Sequence, residues 1–274
     1  MCDLMLLTSI SAGAEHTCGI REDGQVVCWG ADYYAQASDV PVGAFVGVAA
    51  GVGHSCAIQG NGQVVCWGDN GDDQTNVPAD TFSAVTVGGF SCGIRSVDSR
   101  VRCWGDDSYS QVSTAPPGAF ASIDAGTSHA CGVRGNGQIV CWGDNNSGQT
   151  TAPADAFNSV SAGKVHSCGI RSANNAVVCW GNAGQLMGSP MGAFDSVSAG
   201  DGHTCAIRSS DSAVICWGRD NDGQVSDAPS GAFDSVTAGR DHSCAIRSSD
   251  GQTLCWGIDA EGEISGVPAN ASFS

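Results

Sequence analysis

Cysteine is the residue of this chain best equipped to do chemistry, and it comes in pairs. Fourteen of the 15 cysteines form seven couples: Cys18/Cys28, Cys56/Cys66, Cys92/Cys103, Cys131/Cys141, Cys168/Cys179, Cys205/Cys216 and Cys244/Cys255. The separation is 10 residues in three couples and 11 in four, and Cys2 is left over. The Cys-x-x-Cys and Cys-x-x-His spacings of zinc sites are absent, so metal thiolates are not expected. All six histidines stand two residues before the first cysteine of a couple: His16, His54, His129, His166, His203 and His242, with Phe90 in the third place. Such a ring of imidazoles invites a metal, but the spacing opposes one. If these positions lie roughly 12 Å from a sevenfold axis, neighbours are about 10 Å apart. A shared Zn²⁺ needs nitrogens about 2.0–2.1 Å away. The histidines are therefore expected to bond backbone groups of adjacent turns.

The remaining reactive groups are acidic. Asp69-Asn70-Gly71-Asp72-Asp73, Asp106-Asp107 and Arg219-Asp220-Asn221-Asp222 resemble calcium loops in composition. None has the EF-hand spacing with its Glu at the twelfth position, and Asp-Asn-Gly clusters are common turn formers. Ser-His-Asp and Cys-His combinations recur in every unit simply because the unit recurs. No glycine-rich strand-to-helix phosphate loop is present. No catalytic residue, metal or cofactor is expected.

The elements that carry these residues are one unit written seven times. Each of the seven Trp sits in Cys-Trp-Gly, at Trp29, Trp67, Trp104, Trp142, Trp180, Trp217 and Trp256, with steps of 38, 37, 38, 38, 37 and 39 residues. Seven of eight Phe share one repeat position (Phe45, Phe82, Phe120, Phe157, Phe194, Phe233 and Phe273), and all eight Pro lie between units. Apolar residues alternate with period two in runs bounded by Gly, Asp, Asn and Pro, which reads as short strands and tight turns. In the fourth unit strands are expected at 122–125, 129–134, 138–142 and 149–151. Four strands per unit at this period, seven times, predict an all-β fold, a seven-bladed propeller with four-stranded antiparallel blades. The whole of 1–274 reads as a single domain with repeats starting near 9, 47, 84, 122, 159, 196 and 235. Leu7-Thr8-Ser9-Ile10-Ser11-Ala12-Gly13 matches Phe194-Asp195-Ser196-Val197-Ser198-Ala199-Gly200, so the ring is expected to close between the seventh and first blades.

Register places the paired cysteines opposite each other. The loop Glu22-Asp23-Gly24 sets Cys18 against Cys28, with Gly in the left-handed position. In the third unit the loop grows to 96–99 and still sets Cys92 against Cys103. Directly opposed residues on antiparallel strands lie about 4.5–5.5 Å apart at Cα, within disulfide range. Buried free thiols, packing as small hydrophobes, are the alternative.

Composition excludes several partners. With 28 acidic against 11 basic residues and a formal charge of −17, the chain lacks the clustered Lys and Arg that nucleic acid or an anionic membrane requires. No apolar run approaches the roughly 20 residues of a membrane helix. A hydrophobic content of 42% also argues against disorder.

The segment Gly51-Val52-Gly53-His54-Ser55-Cys56-Ala57-Ile58, followed by Val64-Val65-Cys66-Trp67-Gly68 and Gln74, resembles the RCC1 repeat of the regulator of chromosome condensation propellers. The resemblance runs from about Ser9 to Phe273. The linker Gly148-Gln149-Thr150-Thr151-Ala152-Pro153 is similar to those of a compact bacterial branch that includes a secreted β-lactamase inhibitor. No segment matches the basic tail or inserted wedge of the nuclear exchange factors, so that activity is not implied. Related repeats usually carry Ala at both cysteine positions. Replacement of both in all seven units favours seven intrablade disulfides, each worth roughly 2.5–3 kcal/mol by loop closure. Such bonds imply an oxidising, extracellular or periplasmic setting. Residues 1–7 lack the basic start and apolar length of a signal peptide, so a leader is expected to be absent from this chain. Cys2 is expected to be unpaired, or to bridge to a second copy.

Function is expected where the units differ, in the turns after the third strand. All three Tyr lie there. Asp32, Tyr33, Tyr34, Phe90, Asp107 and Tyr109 form the candidate binding face, because aromatic anchors dominate protein interfaces. The recurring Arg21, Arg95, Arg134, Arg171, Arg208 and Arg247 are expected to make surface or blade-to-blade ion pairs. Gln36, Gln74, Gln111, Gln149, Gln185 and Gln224, with Glu263, are expected to bond the preceding loop. The chain thus reads as an extracellular, non-catalytic interaction module. A protein partner is preferred, in an inhibitor-like or adhesive role. The alternatives are a glycan-binding propeller and a structural subunit that assembles through its faces or Cys2.

Overall fold

The computed structural model describes residues 6–268. Among them are seven antiparallel sheets of three strands, each in simple sequence order. The inner strands are Leu7–Ala12, Phe45–Ala50, Phe82–Val87, Ser122–Ala125, Phe157–Ala162, Phe194–Ala199 and Phe233–Ala238. The middle strands are His16–Arg21, His54–Gln59, Phe90–Arg95, His129–Val133, His166–Arg171, His203–Arg208 and His242–Arg247. The outer strands are Val26–Gly30, Val64–Gly68, Val101–Gly105, Ile139–Gly143, Val177–Gly181, Val214–Gly218 and Thr253–Gly257.

Among the described residues the expected fourth strand is absent. Residues 149–151 make a turn, with the Thr151 amide donating to the Gly148 carbonyl. The reason is local. At the second position after Cys-Trp-Gly in six of the seven units, Asp or Asn accepts the very amides a fourth strand would offer to a ladder. Asn145 Oδ1 takes the Thr150 amide, and Asp107 Oδ1 takes those of Val112 and Ser113.

The middle and outer strands of every blade are joined by a disulfide. The bonds are Cys18–Cys28, Cys56–Cys66, Cys92–Cys103, Cys131–Cys141, Cys168–Cys179, Cys205–Cys216 and Cys244–Cys255, with Cα atoms 4.0–4.1 Å apart. These are the seven couples expected from the sequence, and they replace the alternative of buried free thiols. Burial of the two ends also differs from that alternative. The cysteine on the middle strand is fully buried in every blade. Its partner on the outer strand is only half-buried at Cys28, Cys66, Cys141, Cys179, Cys216 and Cys255, and Cys103 alone is buried. The outer strand is the last of its sheet, so no further strand covers it. Hairpin loops of different length keep the register. Gly24 has φ +80° in the three-residue loop, and Ser99 has φ +58° in the four-residue one.

The core lies between blades rather than within them. Cys131, Val133 and Ile139 of blade four pack against Phe157 and Trp180 of blade five, and the other blade boundaries repeat this arrangement. The axis is crowded. A Cβ at Gly13 would sit 2.2 Å from the Gly51 carbonyl oxygen, and one at Gly88 1.8 Å from that of Gly126. Only glycine lets seven inner turns meet there.

The ring closes with the same kinds of bond that join other neighbouring blades. The Ala12 amide donates to Thr237 Oγ1, Thr17 Oγ1 lies 2.8 Å from His242 Nε2, and Trp29 Nε1 donates to the Glu263 carbonyl. Leu7, 6% exposed, fills the place that Phe holds in other blades. Cys2 and Phe273 lie outside the described residues.

Candidate functional site

Turns between inner and middle strands, and loops after the outer strands, emerge at one end of the ring. This loop-bearing face carries the sequence variation. Its loops are fastened from below. Gln36, Gln74 and Gln111 are buried, and their Oε1 atoms accept the amides of Tyr34, Asp72 and Tyr109. Gln74 Nε2 and Gln111 Nε2 donate to Asp69 and Asp106. The carbonyls of the same glutamines accept Nε1 of Trp67, Trp104 and Trp142 from the following blade. Each loop therefore leans on the next blade. Glu263 replaces Gln in blade seven and still accepts the Glu261 amide.

The structure divides the six candidate residues into three groups. Tyr33, Tyr34 and Tyr109 are 62%, 56% and 49% exposed. Tyr33 turns toward blade seven, where a hydrogen bond to Glu261 holds its phenol up to about 12. Tyr34 turns the other way and lies over Gly53 of blade two, where a Cβ would come within 3.3 Å of its Cδ2. Tyr109 stands on the loop that leans on blade four. Asp32 and Asp107 are exposed but act inside their own loops. Asp32 Oδ1 accepts the Ala37 and Ser38 amides, and Asp107 Oδ1 those of Val112 and Ser113. These bonds hold both carboxyls below the ordinary carboxylate range against a burial effect that raises them.

Phe90 does not belong to the face. It is fully buried, the first residue of a middle strand, packed with Cys92, Cys103, Ala125, Ala130 and Trp142. The histidines explain why. They do not bond backbone groups of turns. His16, His54, His129, His166 and His203 place Nε2 2.7–2.8 Å from a hydroxyl of the next blade: Ser55, Ser91, Ser167, Thr204 and Ser243. Ser167 Oγ donates in turn to the Gln149 carbonyl, which fixes His129 Nε2 as the donor. At the seam between blades three and four both partners are apolar, Phe90 and Ala130. Burial pushes the imidazoles down, to about 3 at His16 and His203 and about 4 at the other four. They are neutral structural links. Among the described residues no group of three or more His, Cys, Asp or Glu is arranged to hold a metal.

The recurring arginines lie at the opposite end of the ring, where Arg21, Arg95, Arg171, Arg208 and Arg247 pair with acids at the surface. Arg134 makes no ion pair among the described residues and instead donates to the Pro117 carbonyl and lies over the Phe120 ring. Arg171 meets Asp155, Arg208 meets Asp211, and Arg247 meets Asp250.

Sequence reasoning missed Asp124. It lines a channel of about 240 Å³ along the axis, in a ring with Ser11, Thr86, Ser161, Ser198 and Thr237. Its Oδ1 accepts Thr86 Oγ1 and the Ala125 amide, and its Oδ2 accepts Ser161 Oγ and the Ala162 amide. Burial raises its carboxyl above the usual range despite these bonds. Alignment of the inner strands would have found it as a carboxylate among hydroxyls. Blade five also departs. Its loop is short, with Gln185 five rather than seven residues after the Trp, and forms a helix at Ala183–Leu186. As a result Trp217 Nε1 finds no partner among the described residues.

Seven antiparallel sheets closed around a polar axial channel define a β-propeller with a loop-bearing face. The sequence model described as "Regulator of chromosome condensation (RCC1) repeat" matches residues 7–36, 45–74, 120–149 and 194–224. Three of these matches begin at the start of an inner strand and one just before it, and all run to the loop Gln. The chain is an RCC1-like propeller. The blades left unmatched are those with Phe90 for His, a shortened loop, or Glu263 for Gln. The ectodomain of the receptor kinase CR4 from Physcomitrella patens is similar at 27% identity and TM-score 0.80, over 94% of this chain and 74% of that one. The CRINKLY WD40 ectodomain of the Arabidopsis thaliana receptor kinase ACR4 is similar at 26% and 0.79, over 96% and 98%. Yeast RCC1 (Prp20), solved bound to Kap60, shares the fold at 17% and 0.52, over 97% and 76%. Seven intramolecular disulfides and neighbours that are ectodomains point to an extracellular location.

Proposed function

We propose that this chain is an extracellular, non-catalytic module that binds a protein through its loop-bearing face. The observation that carries this reading is the pairing of exposed Tyr34 and Tyr109 with loops fastened at the backbone by buried Gln36 and Gln111. A rigid aromatic side chain loses little freedom on binding and offers large contact area, which is how interface anchors work. Tyr33, with Asp32 and Asp107 shaping the loops, extends the contact surface. The groups that serve catalysis elsewhere have other duties here. The described cysteines are bridged, the histidines are neutral links between blades, and the carboxylates of Asp32, Asp107, Asp220 and Asp259 hold backbone amides of their loops. An inhibitor-like or adhesive role, as in the compact bacterial branch, fits a rigid face of this kind.

A glycan partner is less well supported. All seven Trp, the best sugar platforms, are buried at 3–6% exposure. Replacing Tyr33, Tyr34 and Tyr109 with Ala tests the reading. Loss of affinity for an identified protein ligand is expected, and unchanged affinity refutes it.

A further inference from the structure

We propose that the arc of the loop-bearing face over blades two to four docks an extended, cationic polypeptide segment with apolar side chains. This rests on the reading of that face as protein-binding and names the partner's chemistry. The apolar part is on the surface. Tyr34 and Tyr109 stand at the outer edge of the arc, over blade two and toward blade four. Val52, 45% exposed, lies between them on the inner side, beside the side-chain-free turn Gly88-Gly89. An extended segment can touch both tyrosines, which stand two blades apart, and lie along the turns between them.

The distribution of charge selects the occupant. The turns and loops of this face contain three basic residues, Lys164, Arg219 and Arg240, all in blades five to seven. Each meets an acid of the neighbouring blade. Lys164 Nζ is 3.2 Å from Asp201, Arg219 is 3.2 Å from Asp241, and Arg240 meets Glu15. The acids between the two tyrosines have no such partner. Among the described residues, Asp72, Asp73, Asp106 and Asp107 make no ion pair, and Asp72 and Asp73 are exposed. An acidic partner would be repelled by this uncompensated charge, on a chain of −17 overall, and a neutral one would leave it unmatched. A segment carrying Lys or Arg between apolar residues satisfies both features. Its cations meet Asp72 and Asp73, and its apolar groups meet Tyr34, Val52 and Tyr109.

The test is selection of binders from a random dodecapeptide display library on the folded, oxidised protein. Asp72→Asn/Asp73→Asn and Tyr34→Ala/Tyr109→Ala serve as controls. Asn tolerates the left-handed backbone at position 73, where φ is +63°. Intact mass after alkylation verifies that both variants keep their disulfides. Enrichment of basic, apolar-rich sequences is expected. The Asp pair should weaken their binding about tenfold and flatten its salt dependence, and the Tyr pair should abolish it. Neutral or acidic binders that still need Tyr34 and Tyr109, or basic binders indifferent to the Asp pair, would overturn the cationic partner and leave the protein-binding reading standing. No enrichment, or binders indifferent to both variants, would overturn both.

Discussion

The loop-bearing faces of blades two to four and of blades five to seven rest on the same strands, yet they treat charge in opposite ways. Over blades five to seven the inner turns carry Lys164, Asp201, Arg240 and Asp241, and ion pairs link each blade to the next. Over blades two to four the inner turns carry Val52, Gly88, Gly89 and Thr127, and the acids of the loops have no cation beside them. The first half of the face satisfies itself. The second leaves aromatic surface and negative charge open. The difference continues below the surface, where the seam between blades three and four joins Phe90 to Ala130 and the other six seams join His to a hydroxyl. A repeat protein builds its scaffold from what the blades share and its specificity from where they differ.

The largest effect should come from making the odd seam like the others halfway. Phe90→His buries an imidazole opposite Ala130 with no hydroxyl to meet it and loses the packing of Phe, a combined cost of about 3–5 kcal/mol in denaturant unfolding. Phe90→His with Ala130→Ser should recover part of that loss, because both partners of the polar link are then present. Equal stability of the single and double variants would show that the seam is not a coupled pair.

Next in size is the Tyr34→Ala/Tyr109→Ala variant, expected to lose about 2–4 kcal/mol of affinity for a protein ligand with stability unchanged. The matching change in the other half, Arg240→Ala, should leave affinity unaltered.

Acid response sharpens the comparison of seams. The six imidazoles have folded values of about 3 to 4. The unfolded chain, titrating at about 6.5, therefore binds more protons between these limits. Stability is full above about pH 6.5 and falls as pH drops toward about 4, by up to about 1.4 kcal/mol per pH unit for each imidazole. His129→Phe with Ser167→Ala should flatten that slope by one proton, and Phe90→His with Ala130→Ser should steepen it by one. Slopes identical to the parent would contradict the burial assigned to the histidines. The smallest effect should be that of Arg240→Ala on stability. Its side chain is 48% exposed, and screened surface pairs contribute about 0–1 kcal/mol.

Much of the scaffold was legible in the sequence because repetition multiplies weak signals. Seven Cys-Trp-Gly copies gave the blade count, and hairpin loop lengths gave the cysteine register. The fourth strand was not legible, because the side chains of Asn145 and Asp107 capture amides that a strand pattern assigns to a ladder. The face was half legible. Tyr34 and Tyr109 stand out by type, but Phe90 directly follows a turn in the sequence, and only its partner at residue 130 of the next blade shows that it is buried. That His position pairs with a hydroxyl one blade later, about 38 residues away, is a fact of ring geometry that local pattern does not carry. Asp124 went unnoticed for a similar reason, since its neighbours Thr86 and Ser161 come from the two adjacent blades.

The most direct test is amide hydrogen exchange of the folded protein with and without the tightest selected dodecapeptide. Protection is expected at 34–36, 52–53, 72–74, 88–89 and 109–111, with 164–165, 201–202 and 240–241 unchanged. Protection centred on those last three turns, or on the hairpin loops at the opposite end such as 23–24, would contradict the assignment of binding to blades two to four.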